Sequence, residues 1–396
     1  MEAQNTGSSI RPIQDVDAIA EKAKLQLEDL LPKAQTLYFS DDCLANASQL
    51  TLVEADAHVI DHVCKGGSLV IRGEPSDSAV LCTAEKTYSV REAETSNSLL
   101  LLQSLTGPNE IEKEGPRHVT DRQVAGTFYT YLELRECQPR LRRLHRLLSA
   151  DPYRGRLHPG TGYSAARLAE AVQASREQLE TALRESHALL MDGEYRFLEC
   201  EYEFHVFSLI TKFIDENSWS SVEVRRSLTL ETLSELEPAA VVAHCFDKHM
   251  KPIGETAADG GEPLYTFCED QVARLFARLL LQPMKTFNLA DFTASWQQSV
   301  PDGVTTSVDQ LRGLAVVNSE VSPQVVVRLA PTDLPDDAPE RFAALFAVKQ
   351  HWTADELHPY LEDLTSPSVK MGSLLAKNTR LTTKAGVKMY GPKHAH

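Results

Sequence analysis

The stretch Trp296–Val317, WQQSVPDGVTTSVDQLRGLAVV, decides how the rest of the chain is read. Leu289, Phe292 and Trp296 fall on one face of a helix, and Pro301-Asp302-Gly303 turns the chain. Ser307-Val308-Asp309-Gln310 has the capping-box pattern, so a second helix is expected there, with a strand starting at Leu314. Working outward, Val272, Leu275, Phe276 and Leu279 give a preceding helix at i, i+3, i+4, i+7, and GLAVVNSEVSPQVVVRLA (313–330) gives a following hairpin. Helix, helix, helix, hairpin is the order of a winged helix-turn-helix.

The same frame recurs. Ser175-Arg176-Glu177-Gln178-Leu179 repeats the S-x-x-Q-L pattern, after helices marked by Leu141, Leu144, Leu148 and by Leu168, Val172. A hairpin turning at Asp192-Gly193 follows. Another copy starts near Arg341, with a capping box at Thr353–Glu356, a proline (Pro359) that is awkward inside its helix, a third helix over Pro367–Asn378 and a hairpin turning at Ala385-Gly386. A looser copy lies between, with helices over Val206–Ile214 and Pro238–His249 and the strand LYTFC (264–268). Four helix–hairpin units result.

The front of the chain has a different texture. A helix is expected over Asp15–Leu31, ended by Pro32. From Thr36 to Leu105, short β-type runs alternate with turn residues: TLYF, QLTLVEA, SLVIRG, SAVLC, TYSV and SLLLLQSL, with one short helix in ADAHVIDHVCKGG. Such a piece is small for a core of its own, and its open edges need covering, for which a partner chain is one solution. Residues 106–118 are polar and read as a loop. The fold class is therefore α+β: a β-rich N-terminal region, forming part of a barrel, followed by tandem winged-helix units. The boundaries are 1–35 (N-terminal helix), 36–118 (β-rich, partner-binding), 119–204 and 205–270 (winged-helix-like units), 271–332 (winged helix) and 333–396 (C-terminal winged helix).

Composition narrows the function. The formal net charge of −16 argues against a protein coated in nucleic acid. Seven dispersed cysteines without a CxxC pair fit reduced thiols, in cytosol or nucleus. Neither a secretory signal nor a transmembrane helix is expected. No GxxxxGK[ST] motif is present, so this chain is not read as a P-loop ATPase. Gly160–Ala165 fits GxGxxA, but the loop-like residues before it favour a plain helix start. His58 and His62, with Cys64 nearby, and His244, Cys245 and His249 have partial metal-ligand spacing without a further ligand, and are read as structural. Trp296 is read as a core anchor. No catalytic residue, metal or cofactor is assigned.

The charge is uneven. From Thr365 to His396 there is no carboxylate, while Lys370, Lys377, Arg380, Lys384, Lys388 and Lys393 are all cationic. In a winged unit the third helix can enter the major groove while the wing lies along the backbone. These residues are the candidate DNA contacts, of the phosphate rather than the base-reading kind, with a merely soluble terminus as the other reading. A second basic cluster (Arg135, Arg140, Arg142, Arg143, Arg146) is diluted by Glu133 and Glu136 and reads as a helix face paired within the molecule.

With these residues in hand, SLVIRG, AVLC with KTYSV and ETSN, DPYRG, KTFNLADF, WQQSVP, TSVDQLRGLAVV, LPDDAPERFAALF and GVKMYG occur in an order that resembles the defective-in-sister-chromatid-cohesion family, from about residue 20 onward. The resemblance implies a non-catalytic nuclear subunit of an alternative replication factor C clamp loader, without a cofactor. Its implied partners are the large chromosome-transmission-fidelity ATPase and its small companion, which share a β-barrel with the N-terminal region. The replication factor C small subunits, the catalytic subunit of DNA polymerase epsilon, DNA and, indirectly, the sliding clamp PCNA complete the set. Val70, Ile71, Val80, Leu81, Leu99, Leu100, Leu101 and Leu102 are the expected partner-binding strand residues. The implied role is clamp loading and sister chromatid cohesion during replication. Winged helices in the family are counted as three, where the residues here give four. The alternative reading is a winged-helix protein–protein scaffold without DNA binding, which the overall acidity favours.

Overall fold

The computed structural model describes residues 11–39, 48–75, 77–220, 222–257, 261–366, 369–384 and 386–393; Pro367 and Ala385, used in the sequence reading, lie outside these. The chain is mixed α and β, with thirteen α-helices and several small sheets among the described residues, and no sheet there closes into a barrel. It divides into two compact units, Met1–Ile60 with Val90–Leu134, and Asp61–Ser89 with Arg135–His396.

The first unit opens with α1 (Ile13–Lys22), which stops where Lys24 takes φ +58°. The expected helix to Leu31 is therefore shorter, continuing only as a 3-10 turn at Leu27–Asp29. Strand β1 (Lys33–Phe39), strand β2 (Val53–Glu54) and helix α2 (Ala57–Cys64) follow; Asp56 caps α2 by accepting from the Val59 N–H at 2.9 Å. Beyond them lie β3 (Val70–Arg72), β4 (Val80–Cys82), β5 (Thr87–Leu102) and β6 (His118–Cys137). Runs that look like separate strands, TYSV and SLLLLQSL, are one strand, because nothing between them breaks extended backbone. β6 is the larger surprise. Its 20 residues lie in the span expected to start a winged-helix unit at residue 119. β1 and β2 both pair with it in parallel, Lys33–Phe39 against His118–Val124 and Val53-Glu54 against Leu132-Glu133. Gln35 ties this unit together: its side chain accepts from Arg122 Nε (3.0 Å) and the Thr106 N–H (3.0 Å) and donates to the Thr106 carbonyl (2.8 Å). Apolar packing is sparse. Among described residues of this unit only Ala20, Val59, Val124 and Phe128 are buried apolar side chains.

In the second unit, β3, β4 and the first three residues of β5, the end of a six-stranded sheet of order β1-β6-β5-β4-β3 with β2 also on β6, pair antiparallel with registers Val70↔Cys82 and Val80↔Ser89. Then one order of elements occurs four times. The first has α3 (Arg142–Ala150), an isolated bridge residue Tyr163, α4 (Ala165–Ala171), α5 (Arg176–Glu185) and the hairpin β7 (Leu189–Met191), β8 (Glu194–Arg196), turned by Asp192 and Gly193 at φ +54° and +79°. The second has α6 (Cys200–Glu216), β9 (Val224–Arg225), α7 (Arg226–Leu233), α8 (Ala239–His249), β10 (Met250–Thr256) and β11 (Pro263–Phe267). The third has α9 (Glu269–Leu280), β12 (Thr286–Asn288), α10 (Leu289–Ser299), a 3-10 turn (Val308–Leu311), β13 (Ala315–Asn318) and β14 (Val325–Arg328). The fourth has α11 (Ala338–Val348), bridge residue Trp352, α12 (Ala354–Leu361), α13 (Met371–Asn378), β15 (Thr379–Lys384) and β16 (Val387–Pro392).

In every copy the lone strand or bridge pairs with the second strand of the hairpin: Tyr163 with Tyr195, β9 with β11, β12 with β14, Trp352 with Tyr390. The expected capped helix at Ser307 is the 3-10 turn. Its capping box forms, but Arg274 from α9 donates to the carbonyls of Gln310 (2.6 Å) and Arg312 (2.9 Å), and Gly313 at φ +72° turns the chain away. Those carbonyls are thus satisfied without more helix. α12 likewise ends two residues past Pro359 and passes into a 3-10 turn. The second and third copies share one core, with Phe207, Phe246, Phe276, Phe292 and Trp296, whose indole donates to the Ala273 carbonyl at 2.8 Å.

Candidate nucleic-acid and partner interfaces

The fourth copy is built around Trp352 and Arg341, both essentially inaccessible. Arg341 donates to the carbonyls of Pro335 (2.6 Å) and Tyr360 (2.9 Å) and pairs with Asp363, so its buried charge is fully engaged. The Trp352 indole donates to the Lys349 carbonyl at 2.6 Å and meets the Tyr360 ring edge-on at 5.9 Å. Trp352 and Tyr390 exchange both backbone hydrogen bonds (2.9 and 2.7 Å), which clamps the β15–β16 hairpin to the helices.

On this frame the six predicted cations are all exposed. Lys370 precedes α13 and Lys377 lies in its last turn. The hairpin registers Arg380↔Gly391, Thr383↔Lys388 and Lys384↔Val387 put Arg380 and Lys384 on one face and Lys388 on the other. Lys393 follows β16. The structure therefore gathers these charges on the same two elements but divides the hairpin cations between its faces. Lys384 Nζ lies 3.4 Å from the His351 ring, and no carboxylate among the described residues pairs with any of the six. The neighbouring Glu320 is already occupied. Burial raises its pKa, but bonds from the Gln350 N–H (2.7 Å) and from the His351 ring (2.6 Å) and N–H (3.1 Å) outweigh that and hold it low.

The corresponding elements elsewhere are not equivalent. α8 buries Val241, Val242, Cys245, Phe246 and His249. α5 carries Glu177, Glu180 and Glu185 beside its arginines, with Arg176 paired to Glu180 at 3.0 Å. The third copy has only its 3-10 turn. Three of the Arg140–Arg146 cluster are engaged within the second unit: Arg140 on Gln173 and the Ser78 carbonyl, Arg142 on Asp336 (3.3 Å), Arg143 on Glu74 and Asp77; Arg146 is exposed.

The predicted partner-binding residues separate by position. Leu99, Leu100 and Leu101 are exposed although alternate side chains of a strand point to opposite faces, and Leu102 is half-buried; both faces of this end of β5 carry leucines that are only partly covered. Val70 and Ile71 are exposed on β3. Val80 and Leu81, in contrast, are buried on β4, which pairs with β3 and β5, so they are not available as a partner surface.

Of the other motifs, Gly160–Ala165 leads into α4, with Ser164 accepting from the Arg167 N–H at 3.3 Å. His62 contacts the Ser68 carbonyl at 3.0 Å. His249 lies in a buried ionic cluster that sequence reading missed: Glu203 on α6 meets Lys248 (2.6 Å) and His249 (2.8 Å) on α8 and Arg278 (2.9 Å) on α9. Burial pushes the Glu203 carboxyl up, but Arg278, Lys248 and the His249 bond more than reverse this and hold it well below its ordinary value. Burial, with Lys248 adding to it, holds His244 down to about 4. Glu203 stands three and four residues before Val206 and Phe207, on the face that α6 buries with Ile210 and Ile214, and that spacing is the signal that separates it from the exposed acids. No described group of three or more His, Cys, Asp or Glu is placed to hold a metal ion. No described helix is long and apolar enough to cross a membrane.

Comparison with known proteins addresses the chain as a whole. Residues 50–361 match the family described as sister chromatid cohesion protein Dcc1. The chain is 36% identical over 391 residues to sister chromatid cohesion protein DCC1 of Danio rerio, covering 97% of this chain and 99% of that protein. It is 35% identical over 391 residues to the Homo sapiens protein of that name (97% and 98%), and 25% identical over 363 residues to a probable DCC1 of Dictyostelium discoideum (85% and 92%). On these matches, which span the sheet unit and the repeated helical unit alike, the chain belongs to the Dcc1 family of sister chromatid cohesion proteins.

Proposed function

We infer that this protein acts by assembly rather than by catalysis, as a nuclear subunit of an alternative replication factor C clamp loader in sister chromatid cohesion. The four repeated copies are winged-helix modules on this reading. The observation that carries it is the first unit: a sheet with exposed apolar residues on both faces of β5 and four buried apolar side chains among its described residues, which give it no second layer. Chains of the large chromosome-transmission-fidelity ATPase and its small companion supply that layer and complete a barrel. Leu99–Leu101 in the first unit, and separately Val70 and Ile71 in the second, are the exposed candidates for partner contact; Val80 and Leu81 are buried. The replication factor C small subunits supply ATP-driven opening of PCNA, and a face of the helical modules meets the catalytic subunit of DNA polymerase epsilon.

The basic end of the fourth module contributes contacts to DNA phosphates without reading sequence. Changing Lys370, Lys377, Lys384 and Lys388 together to Glu tests this by the salt dependence of DNA affinity. Each lysine–phosphate pairing removed should reduce the slope of log K against log salt by roughly 0.9. An unchanged slope removes these lysines from the interface. The net charge of −16 favours the second reading, a scaffold that binds proteins only. Salt-insensitive assembly with no DNA affinity selects it.

A further inference from the structure

Between α6 and the loop after α10 lies a cleft of about 600 Å³, inside the second unit and apart from both interfaces above. Its apolar wall is aromatic: Phe204, Phe207, Phe267, Phe276 and Trp219. The rings are held edge to face, Phe204 on Phe276 at 5.3 Å, Phe207 on Phe267 at 6.0 Å and on Phe276 at 6.2 Å, while Phe213 braces Trp219 from behind at 5.5 Å. Locked rings make a preformed wall rather than a collapsible one.

The polar part of the lining is one-sided. Ser208, Thr211 and Ser299 each give their hydroxyl proton to a carbonyl of their own helix, at 2.8, 3.0 and 2.7 Å, so only their oxygens remain for a ligand. Asp215 and Asp302 are exposed, and no described residue bonds to either carboxylate. No cation lines the cleft; the nearest along α6, Lys212, leans toward Glu216 at 3.9 Å. Apart from the indole N–H of Trp219, the side chains offer acceptors, negative charge and aromatic surface. The complementary ligand carries donors only, a positive charge and an apolar stem, which describes lysine and arginine side chains and no other.

We propose that this cleft is a docking pocket for a short peptide segment of a partner protein, a lysine or arginine flanked by apolar residues. The cation sits between Asp215 and Asp302, and its stem and neighbours lie on the Phe204–Trp219 wall. Nothing in this assignment depends on the DNA or clamp-loader reading.

The test is fluorescence titration of the full chain with three capped pentapeptides, Gly-Leu-X-Leu-Gly, where X is lysine, arginine or the neutral isostere norleucine. Trp296 and Trp352 are fully buried, so a ligand-dependent change reports Trp219. Saturable binding of the two cationic peptides, about tenfold tighter than the norleucine peptide, is expected from a cation–aromatic and carboxylate site. The double substitution Asp215→Asn with Asp302→Asn should erase that preference, with an unchanged melting temperature because both carboxylates are exposed. Equal binding of all three peptides on the unaltered protein, or no saturable binding of any, overturns the proposal. So does a cation preference that survives the double substitution.

Discussion

Strand β5 lives in two environments. At its start, Thr87 and Tyr88 are almost wholly buried, and the Thr87 hydroxyl accepts from the Ser175 N–H (2.9 Å) and donates to Gln178 (2.6 Å). Twelve residues on, Leu99–Leu101 are exposed on both faces. The four repeated copies of the second unit cover their own elements: hairpins are pinned by a lone strand or bridge, and the cores of the second and third copies merge through Phe207, Phe246 and Phe276. The first unit has the longer strands, up to the 20 residues of β6, and no such layer among its described residues. Apolar content alone does not make a core; a sheet needs something to pack on. The difference between the units is therefore one of self-sufficiency, and it can be pressed from either side.

The largest effect belongs to the side that is complete. Glu203→Gln keeps the shape but leaves Lys248 and Arg278 without their counter-charge in a buried site. Breaking such a cluster costs about 3–5 kcal/mol. Urea unfolding of the second unit should show a loss of that order. A loss under about 1 kcal/mol would mean that water reaches the cluster and the two copies are held by the aromatic core alone.

Acid acts on the same region in two stages. The folded pKa values of His244, His249 and His187 are depressed, chiefly by burial, with Lys248 also lowering each. The unfolded chain then binds more protons than the folded one between the folded and unfolded pKa values. Stability is full above the unfolded histidine range and falls as pH drops through about 6.5 toward 4, the value for His244. The depressed Glu203 carboxylate adds a second loss as pH falls below the ordinary carboxylate range toward its own folded pKa. His244→Gln should flatten the upper stage and leave the lower one. A urea midpoint that follows the same pH curve in both proteins would remove His244 from this account.

Legibility followed the same division. Apolar spacing at 3.6 residues marked α9, α10 and α12, and capping boxes at Ser175 and Thr353 located the starts of α5 and α12 closely. These are local signals. What failed was non-local. β6 was passed over because its alternating Thr, Gln, Tyr and Glu form no apolar run, and its place is fixed by pairing with β1, some 85 residues away. The turn at Val308–Leu311 has a helix-start signal that Arg274 overrides from α9. Among candidate sites, the six cations were readable because charge needs exposure, and exposed they are. Glu203 shows in its place on the apolar face of α6, but its partners on α8 and α9, like the walls of the aromatic cleft, are non-local and leave no pattern along the chain.

A cap tests whether the fourth copy is as self-contained as the clamp at Trp352 implies. Thr353 accepts from the Glu356 N–H at 3.2 Å, and Glu356 returns the bond to the Thr353 N–H at 2.8 Å while holding Lys349 at 2.6 Å. Thr353→Ala should cost about 1 kcal/mol. Measured by hydrogen exchange, the loss should be confined to α11–α13 and β15–β16. Loss spreading through α6–α9 would show that all the copies unfold as one.

The smallest effect on stability should come from the first unit, and it is the most informative. Leu99 and Leu101 share one face of β5, Leu100 and Leu102 the other. Replacing either pair by serine removes apolar groups that this chain covers only in part, so the free protein should change by less than about 1 kcal/mol. If partner chains cover the strand, each buried leucine contributes roughly 1.5–3 kcal/mol to assembly, and a pair removed from a covered face weakens association by a hundredfold or more. The two double variants therefore report separately on the two faces. Weakening by one pair alone identifies a partner layer on that side and leaves the other to solvent. Weakening by both fits a strand enclosed on each face, the arrangement a closed barrel with a layer outside it would give. A free chain destabilised by several kcal/mol would place the missing core inside this protein, and the contrast between its two units would fall.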